Sequence, residues 1–198
     1  MPHSGKKCKR GKTGPRGPPG LTGPPGPGPA ATFMIPYASG QNEMVIPVNN
    51  AFDPQQTAIT FGTHYPIPNY DSIQAYGSGF KPPFDLNVEN MTASFVFSED
   101  IPPFPGTLNL YVSLSWITSN QFPSGGSSDV PLYLLPQLTG SVAAGTVVSR
   151  DIPVIPPKLM TKNATATLIF MAFVENTSEP YSFTVKGYLT GSVVLSKA

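Results

Sequence analysis

Residues 107–118 read Thr-Leu-Asn-Leu-Tyr-Val-Ser-Leu-Ser-Trp-Ile-Thr, and this stretch decides the fold. Large apolar side chains recur at every second position, at Leu108, Leu110, Val112, Leu114 and Trp116. Thr107, Asn109, Ser113 and Ser115 lie between them. Because successive side chains of a strand point to opposite faces, this period of two predicts a half-buried antiparallel strand.

The C-terminal end repeats this pattern over residues 181–196. Its inward positions are Phe183, Val185, Leu189, Val193 and Leu195. Gly187 and Gly191 fall on the same face, which predicts a bulge or a closely packed neighbour there. In the window 86–97 the apolar residues change from even to odd positions near Asn90. This change of parity predicts a β-bulge.

Residues 165–174 are apolar on both faces, which predicts a strand buried on two sides. It lies either in the middle of a sandwich or against a neighbouring subunit. In the second case Ile169, Met171 and Phe173 are the candidate trimer-interface residues.

Proline-rich pieces separate these strands, and they predict loops or edge segments at 65–70, 81–84, 101–106 and 152–157. A polar Gly/Ser loop is predicted at 119–128. Apolar residues do not recur at helical spacing, so we expect almost no helix. About eight to ten strands in one all-β domain fit an antiparallel sandwich of the jelly-roll type.

A different period governs the N-terminal end, where residues 11–26 have glycine at every third position and proline at most others. These glycines are Gly11, Gly14, Gly17, Gly20, Gly23 and Gly26. A collagen triple helix requires this period because only glycine fits at its crowded axis. The alternative is a flexible Pro/Gly linker. The collagen interpretation predicts a homotrimer.

The chain therefore divides into a disordered basic arm (residues 1–10), a collagen-like stalk and linker (11–31) and a β-sandwich head (32–198). The stalk extends roughly 45–50 Å at about 3.1 Å per residue. Five triplets are too few to hold three chains together, so we expect the head to drive trimerisation.

Charge is distributed unevenly, although the net charge is only +1. Six positive charges lie in the first sixteen residues, at Lys6, Lys7, Lys9, Arg10, Lys12 and Arg16. The remaining chain has six basic and eleven acidic residues, a balance of −5. The arm either docks on an anionic surface or simply stays solvated. We expect no nucleic-acid partner because the arm has no interleaved aromatic residues.

Cys8 is the single cysteine, so no intrachain disulfide can form. It lies just before the N-terminal end of the predicted stalk, where the cysteines of three chains either form interchain disulfides or remain free thiols. The first ten residues lack the apolar core of a signal peptide. No apolar run reaches the ~20 residues of a transmembrane segment.

The sequence contains few residues with catalytic or metal-binding potential. His3, His64 and Cys8 lie far apart, and no nucleophile elbow, P-loop or dinucleotide fingerprint is present. We therefore expect no metal, no cofactor and no enzymatic activity. An aromatic cluster forms either a ligand-contacting rim or a cover for the base of the sandwich or the trimer axis: Tyr65, Tyr70, Tyr76, Phe80 and Phe84.

Two short stretches resemble a known family. Residues 35–40 read Ile-Pro-Tyr-Ala-Ser-Gly just after the collagen-like region, and residues 185–195 read Val-Lys-Gly-Tyr-Leu-Thr-Gly-Ser-Val-Val-Leu. Both resemble the collagen-like exosporium glycoproteins of spore-forming bacteria, closest to the BclB-type C-terminal domain. The resemblance implies a spore-surface protein with a trimeric head similar to the tumour-necrosis-factor and complement-C1q heads. It also implies candidate O-glycosylation at Thr13 and Thr22.

Two departures from that family concern attachment. The stalk is much shorter than is usual there, and residues 1–10 do not match the leader that anchors some members. The leading hypothesis is a structural homotrimer of the spore surface, with other copies of itself and anionic surface components as partners. The alternative is a trimeric adhesin or lectin-like recognition module on a bacterial or viral surface.

Overall fold

Two antiparallel sheets make up the part of the chain that the computed structural model describes, namely residues 31–49, 56–59, 62–67, 79–118 and 128–198. The five-stranded sheet comprises β1 (Thr32–Ala38), β2 (Met44–Asn49), β5 (Leu86–Phe97), β9 (Val147–Met160) and β11 (Ser182–Lys197). The six-stranded sheet comprises β3 (Gln56–Ile59), β4 (His64–Ile67), β6 (Ile101–Thr118), β7 (Ser128–Tyr133), β8 (Leu138–Val142) and β10 (Ala164–Glu175). These residues contain no helix, and the predicted all-β class is confirmed.

The strand order is that of a jelly-roll sandwich. The first sheet runs β1-β11-β5-β9, with β2 also pairing β11, and the second runs β4-β3-β10-β6-β7, with β8 also pairing β6. The chain repeatedly passes from one sheet to the other, as it does between β5 and β6 and between β10 and β11. Such crossing connections between two packed sheets define this class of fold.

The core lies between the sheets and is dominated by aromatic contacts. All five apolar residues that identified 107–118 as a strand are buried in it. Phe95 of one sheet stacks on Phe170 of the other at 5.1 Å between ring centroids. Phe104 and Phe183 stack across the sandwich at the same distance. Full burial of a phenylalanine side chain stabilises a fold by about 2–3 kcal/mol, so these ring contacts stabilise the packing of the two sheets.

The predicted bulge in 86–97 is confirmed. Val194 of β11 pairs Asn90, whereas the next residue, Leu195, pairs Val88. Glu89 is therefore the extra residue of β5, and the same irregularity occurs where β5 pairs β9. Apolar side chains lie at even positions before the bulge and at odd positions after it. Because the bulge adds one residue, both sets face the same core.

Of the loop or edge segment predicted at 101–106, the structure has the edge segment, which is the first third of β6. Its three prolines are tolerated because β6 has a ladder on one side only at this point. There it pairs β8, with register shifts on both sides of Phe104, while β10 pairs β6 only from Thr107 onward. A proline that lacks an N–H group disrupts little where no second neighbour requires a donor.

The other proline-rich segments agree with their predicted positions where the structure describes them. Residues 152–157 belong to β9, which is the last strand in the order of its sheet, and 64–67 form the edge strand β4. Residues 81–84 are irregular. Most of the predicted loop 119–128 lies outside the described residues.

Candidate functional site

Most of the site residues predicted from the sequence lie in residues 1–30, outside the described part of the chain. These are the triple-helix glycines, Thr13 and Thr22, and the basic residues of the arm. They stay predictions, as do the domain boundaries. Ile169, Met171 and Phe173 are described, and they lie on the outer face of the six-stranded sheet. Ile169 is buried, and the other two are half-buried.

The aromatic cluster predicted between residues 65 and 84 is only partly described. Phe80 is partly buried and packs against the core, as expected of a residue that covers the sandwich. Phe84 is 39% exposed and meets the edge of Phe33 at 6.4 Å. Tyr70, Tyr76 and the side chain of Tyr65 lie outside the description, so the alternative of a ligand-contacting rim stays a prediction.

The stretch 35–40 forms most of β1 and the turn after it, and Tyr37 is its central residue. The Tyr37 side chain is buried, and its hydroxyl donates a hydrogen bond to the backbone carbonyl of Thr92 at 2.5 Å. Burial raises the pKa of this hydroxyl well above its usual range. The ring lies directly over Gly191, where an added Cβ would be 2.5 Å from the ring.

Ser39 and Gly40 end this strand with specific backbone contacts. The Ser39 hydroxyl accepts a hydrogen bond from the Leu189 amide at 3.1 Å, and the Ser39 amide donates to the Leu189 carbonyl at 2.8 Å. Gly40 has φ +89°, and a Cβ there would meet the carbonyl of Gly62 at 2.1 Å. His64, which carried no assigned role in the sequence, lies with its Nδ1 atom 2.9 Å from the Ser39 carbonyl.

The first described strand lies at an edge of the five-stranded sheet. β1 begins at Thr32, which pairs Ser196 near the end of β11. β1 is also the first strand in the order of that sheet. The first and last described strands are therefore neighbours in one sheet.

The outer face of this sheet carries a row of exposed apolar side chains across three strands. Tyr188 of β11 pairs Val96 of β5, and Val96 pairs Val147 of β9. They are 40%, 37% and 52% exposed. We call these three residues the apolar row. Solvent-exposed apolar residues that are contiguous indicate an interaction surface.

Next to the apolar row the same face carries hydroxyl side chains, together with Asp151 of β9, which pairs Thr92. Thr190 pairs Ser94, and Ser192 pairs Thr92. The hydroxyls of Thr92 and Ser192 lie 2.9 Å apart and satisfy each other. Lys186, two residues before Tyr188 in β11, donates a hydrogen bond to the Glu99 carboxylate at 2.8 Å. This hydrogen bond raises the pKa of Lys186.

A cavity of about 40 Å³ lies between the sheets near β1. It is lined mostly by apolar side chains, among them Ile35, Ile59 and Leu195. An engineered cavity of about 150 Å³ is needed to admit benzene, so this space is too small for an organic ligand. Within the described ranges no group of three His, Cys, Asp or Glu side chains is placed to hold a metal ion. No helix found there is long and apolar enough to cross a membrane.

The fold defines the chain as a jelly-roll β-sandwich protein. Neither a protein-family model nor a curated protein matches it. Similar solved structures include that of the infectious bursal disease virus Gx strain, at 8% identity and TM-score 0.40, covering 84% of this chain and 33% of that one. The chain thus spans about a third of the length of that viral protein. Desmodium yellow mottle tymovirus is similar at 16% identity and TM-score 0.23, with 98% and 96% of the two chains covered.

A carbohydrate-active protein is also similar. It comprises the CBM22-1 and GH10 modules of Clostridium thermocellum xylanase 10B complexed with xylohexaose, at 18% identity and TM-score 0.30, covering 82% of this chain and 28% of that one. At these identities and scores the similarities say nothing about function. The functional inference therefore rests on the surfaces of this chain.

Sequence reasoning did not identify the apolar row, although one signal for it is present. Tyr188 alternates with Gly187 and Leu189 in a strand whose odd positions face the core. A tyrosine at an even position there must point outward. Val96 gives the same signal, because it lies between the inward residues Phe95 and Phe97, whereas Val147 gives none.

Proposed function

We propose that the chain is a structural surface protein that works as a homotrimer. The head supplies the association energy, the collagen-like stalk acts as a spacer, and the basic arm attaches the assembly to an anionic surface. Its proposed location, by resemblance, is the exosporium of a bacterial spore. The observation that carries the proposal is the apolar row, which lies on the sheet that the stalk joins.

The tether limits where the three heads can lie. In a triple helix the three chains share one axis. From Gly26 to Thr32 the chain can extend at most about 20 Å, at 3.3–3.6 Å per residue. Three copies of β1 would therefore begin close to the axis, and the five-stranded sheet that contains β1 is brought there with it.

The outer face of that sheet carries an apolar row between Lys186 and Asp151, and the row has residue types that are common in interface cores. Charged residues are depleted in the cores of protein interfaces, whereas Tyr and Met are enriched. The apolar row contributes Tyr188, and the edge strand contributes Met34, which is 63% exposed. Covering these side chains with a second copy removes apolar surface from water at about 25 cal/mol per Å².

The strand with Ile169, Met171 and Phe173 is the other candidate interface. Ile169 is only 9% exposed, so a partner would gain little contact area from it. The larger exposed fractions in the apolar row favour the five-stranded sheet. The two surfaces can be distinguished by one substitution in each.

The test is the mass of the full chain and of residues 32–198 by light scattering. We expect a trimer in both, because the head contains its own core. Val96→Lys places a charge in the middle of the apolar row and is expected to give monomers. Tyr133→Lys is the matched control, since Tyr133 is 39% exposed on the outer face of the other sheet. It is expected to stay trimeric.

Three results would count against parts of the proposal. A monomeric wild-type head would remove the head as the assembling unit. A trimer that survives Val96→Lys but is lost in Met171→Lys would move the interface to the six-stranded sheet. In the full chain, Gly17→Val should loosen the stalk and leave the trimer intact, and monomers there would show that the stalk holds the molecule together.

A further inference from the structure

Three aromatic rings form a patch on the outer face of the six-stranded sheet. Tyr111 of β6 pairs Tyr133 of β7, and their rings meet edge to face at 5.0 Å. The ring of Tyr133 meets that of Phe173 of β10 at 6.4 Å and 74°. Tyr133 is 39% exposed, and the other two rings are half-buried. The rings therefore hold one another in place while part of their surface faces solvent.

A set of amide and carboxylate groups borders these rings. Asn109 precedes Tyr111 on the same face of β6 and pairs Phe173 across the sheet. Its Nδ2 atom donates to Glu175 Oε2 at 3.1 Å and, more weakly, to the Thr107 carbonyl at 3.4 Å. Gln137 Nε2 donates to Asn109 Oδ1 at 2.5 Å. Asn109 is 1% exposed, whereas Glu175 and Gln137 are exposed.

The buried Asn109 orients two exposed polar side chains beside the rings. A carboxylate offers about four acceptor positions, and an amide offers two donors and a carbonyl acceptor. Asn109 occupies one position on Glu175 and one N–H of Gln137. The remaining donor and acceptor positions of these exposed groups are available to a ligand. Because Asn109 fixes them in advance, a ligand does not bear the full entropy cost of ordering them.

We propose that these six residues form a binding site for a neutral pyranose unit of a glycan. A pyranose with mostly equatorial substituents presents a face of C–H groups and a rim of hydroxyls. Aromatic ring faces carry negative charge density and attract such C–H groups. The rim hydroxyls can both donate to Glu175 and accept from Gln137. A pyranose combines both features in one ring.

Charge excludes anionic sugars and phosphates. Glu175 repels them at the polar border of the patch. Arg150 lies in the vicinity, but its Nη1 atom donates to the backbone carbonyl of Tyr133 at 3.3 Å and is not placed over the rings. The proposal does not depend on the trimer, because all six residues belong to one chain.

The experiment is saturation-transfer-difference NMR of the full chain with three soluble probes: N-acetylchitotetraose, cellotetraose and 3′-sialyllactose. We expect transfer to the ring protons of at least one neutral probe and little to the sialic acid. Tyr133→Ala should weaken binding roughly tenfold, which corresponds to about 1.4 kcal/mol and lies within the range of about 0.5–1.5 kcal/mol for an aromatic contact. Tyr133→Leu, which keeps an apolar side chain, should weaken it similarly. Glu175→Gln should weaken it by a smaller factor.

Tyr188→Ala is the matched control, because Tyr188 is 40% exposed on the opposite sheet. It is expected to leave the transfer per chain unchanged even if it disrupts the trimer. Absence of transfer from both neutral probes to folded wild-type protein would overturn the proposal. Equal transfer in wild type and in the folded Tyr133→Leu variant would also overturn it, since binding would then lie elsewhere. Strong transfer to sialic acid protons would refute the neutral ligand class.

Discussion

Gly191 tests the packing of the first strand on the last, and we predict that Gly191→Ala is strongly destabilising. A Cβ atom at this position would lie 2.2 Å from the Thr92 carbonyl oxygen and 2.5 Å from both Cζ and the hydroxyl of Tyr37. One of these contacts is backbone of the neighbouring strand, which cannot rotate away. The other contact is with the buried ring of Tyr37, whose hydroxyl donates a hydrogen bond to the Thr92 carbonyl. Either β11 separates from β5 or the ring tips out of its place.

The cost has two parts. Overpacking of a well-packed core costs about 1–3 kcal/mol. Displacing the ring breaks the hydrogen bond from the Tyr37 hydroxyl and leaves a buried donor unpaired, which costs about 1–3 kcal/mol more. We expect the free energy of unfolding to fall by about 4 kcal/mol, a large fraction of the 5–15 kcal/mol typical of a domain.

Urea unfolding of residues 32–198, followed by fluorescence of Trp116, measures this loss at fixed protein concentration. Gly145→Ala is the control, because Gly145 has φ +81° and an added Cβ there meets nothing within 4 Å. It should cost only the strain of the left-handed region, about 1 kcal/mol. On a Tyr37→Leu background Gly191→Ala should cost less than in wild type. A loss below about 1 kcal/mol, or equal losses on both backgrounds, would refute this account of the contact.

Two further predictions concern the same strand. Because burial raises the pKa of Tyr37, the folded state keeps a proton that the unfolded chain releases above its ordinary pKa of about 10. The difference in free energy of unfolding between wild type and Tyr37→Phe should thus be constant below about pH 10 and should decline as pH rises above it. Urea unfolding at several pH values measures this difference. A difference that stays constant above about pH 10 would contradict the raised pKa of Tyr37. Ser39→Ala should lower the free energy of unfolding by about 1–2 kcal/mol because the Leu189 amide loses its side-chain acceptor, whereas Ser141→Ala, at an exposed position of β8, should change it by less than about 0.5 kcal/mol in the same assay.

The features that depend on local alternation could be predicted from the sequence. The strand at 107–118, the inward face of β11 and the bulge at Glu89 all follow from counting apolar positions, because the period of a strand is fixed by its backbone. The two-sided strand around Leu168 is predicted either in the middle of a sandwich or against a neighbouring subunit, and it lies between β3 and β6.

The features that depend on pairing could not be predicted. The prolines of 101–106 indicated a loop or an edge segment, and the sequence could not decide between them because it does not show that β6 has only one neighbour there. The apolar row depends on the register of three strands that are distant along the chain. The patch of Tyr111, Tyr133 and Phe173 likewise requires three strands to be aligned, although each residue occupies an outward position in its own strand.

The two stretches that carry the family resemblance are in contact with each other. Tyr37 pairs Gly191 across β1 and β11, and its ring occupies the space that any side chain at 191 would need. Gly187 similarly admits the ring of Phe95. Tyr37 in the first strand and Gly191 in the last strand thus pack against each other, and this contact joins β1 to β11. The expected resemblance thus concerns residues that pack the sandwich. The location and partners of the protein are therefore inferred from its proposed stalk, its apolar row and its aromatic patch. Val96→Lys tests the apolar row, and Tyr133→Ala tests the aromatic patch.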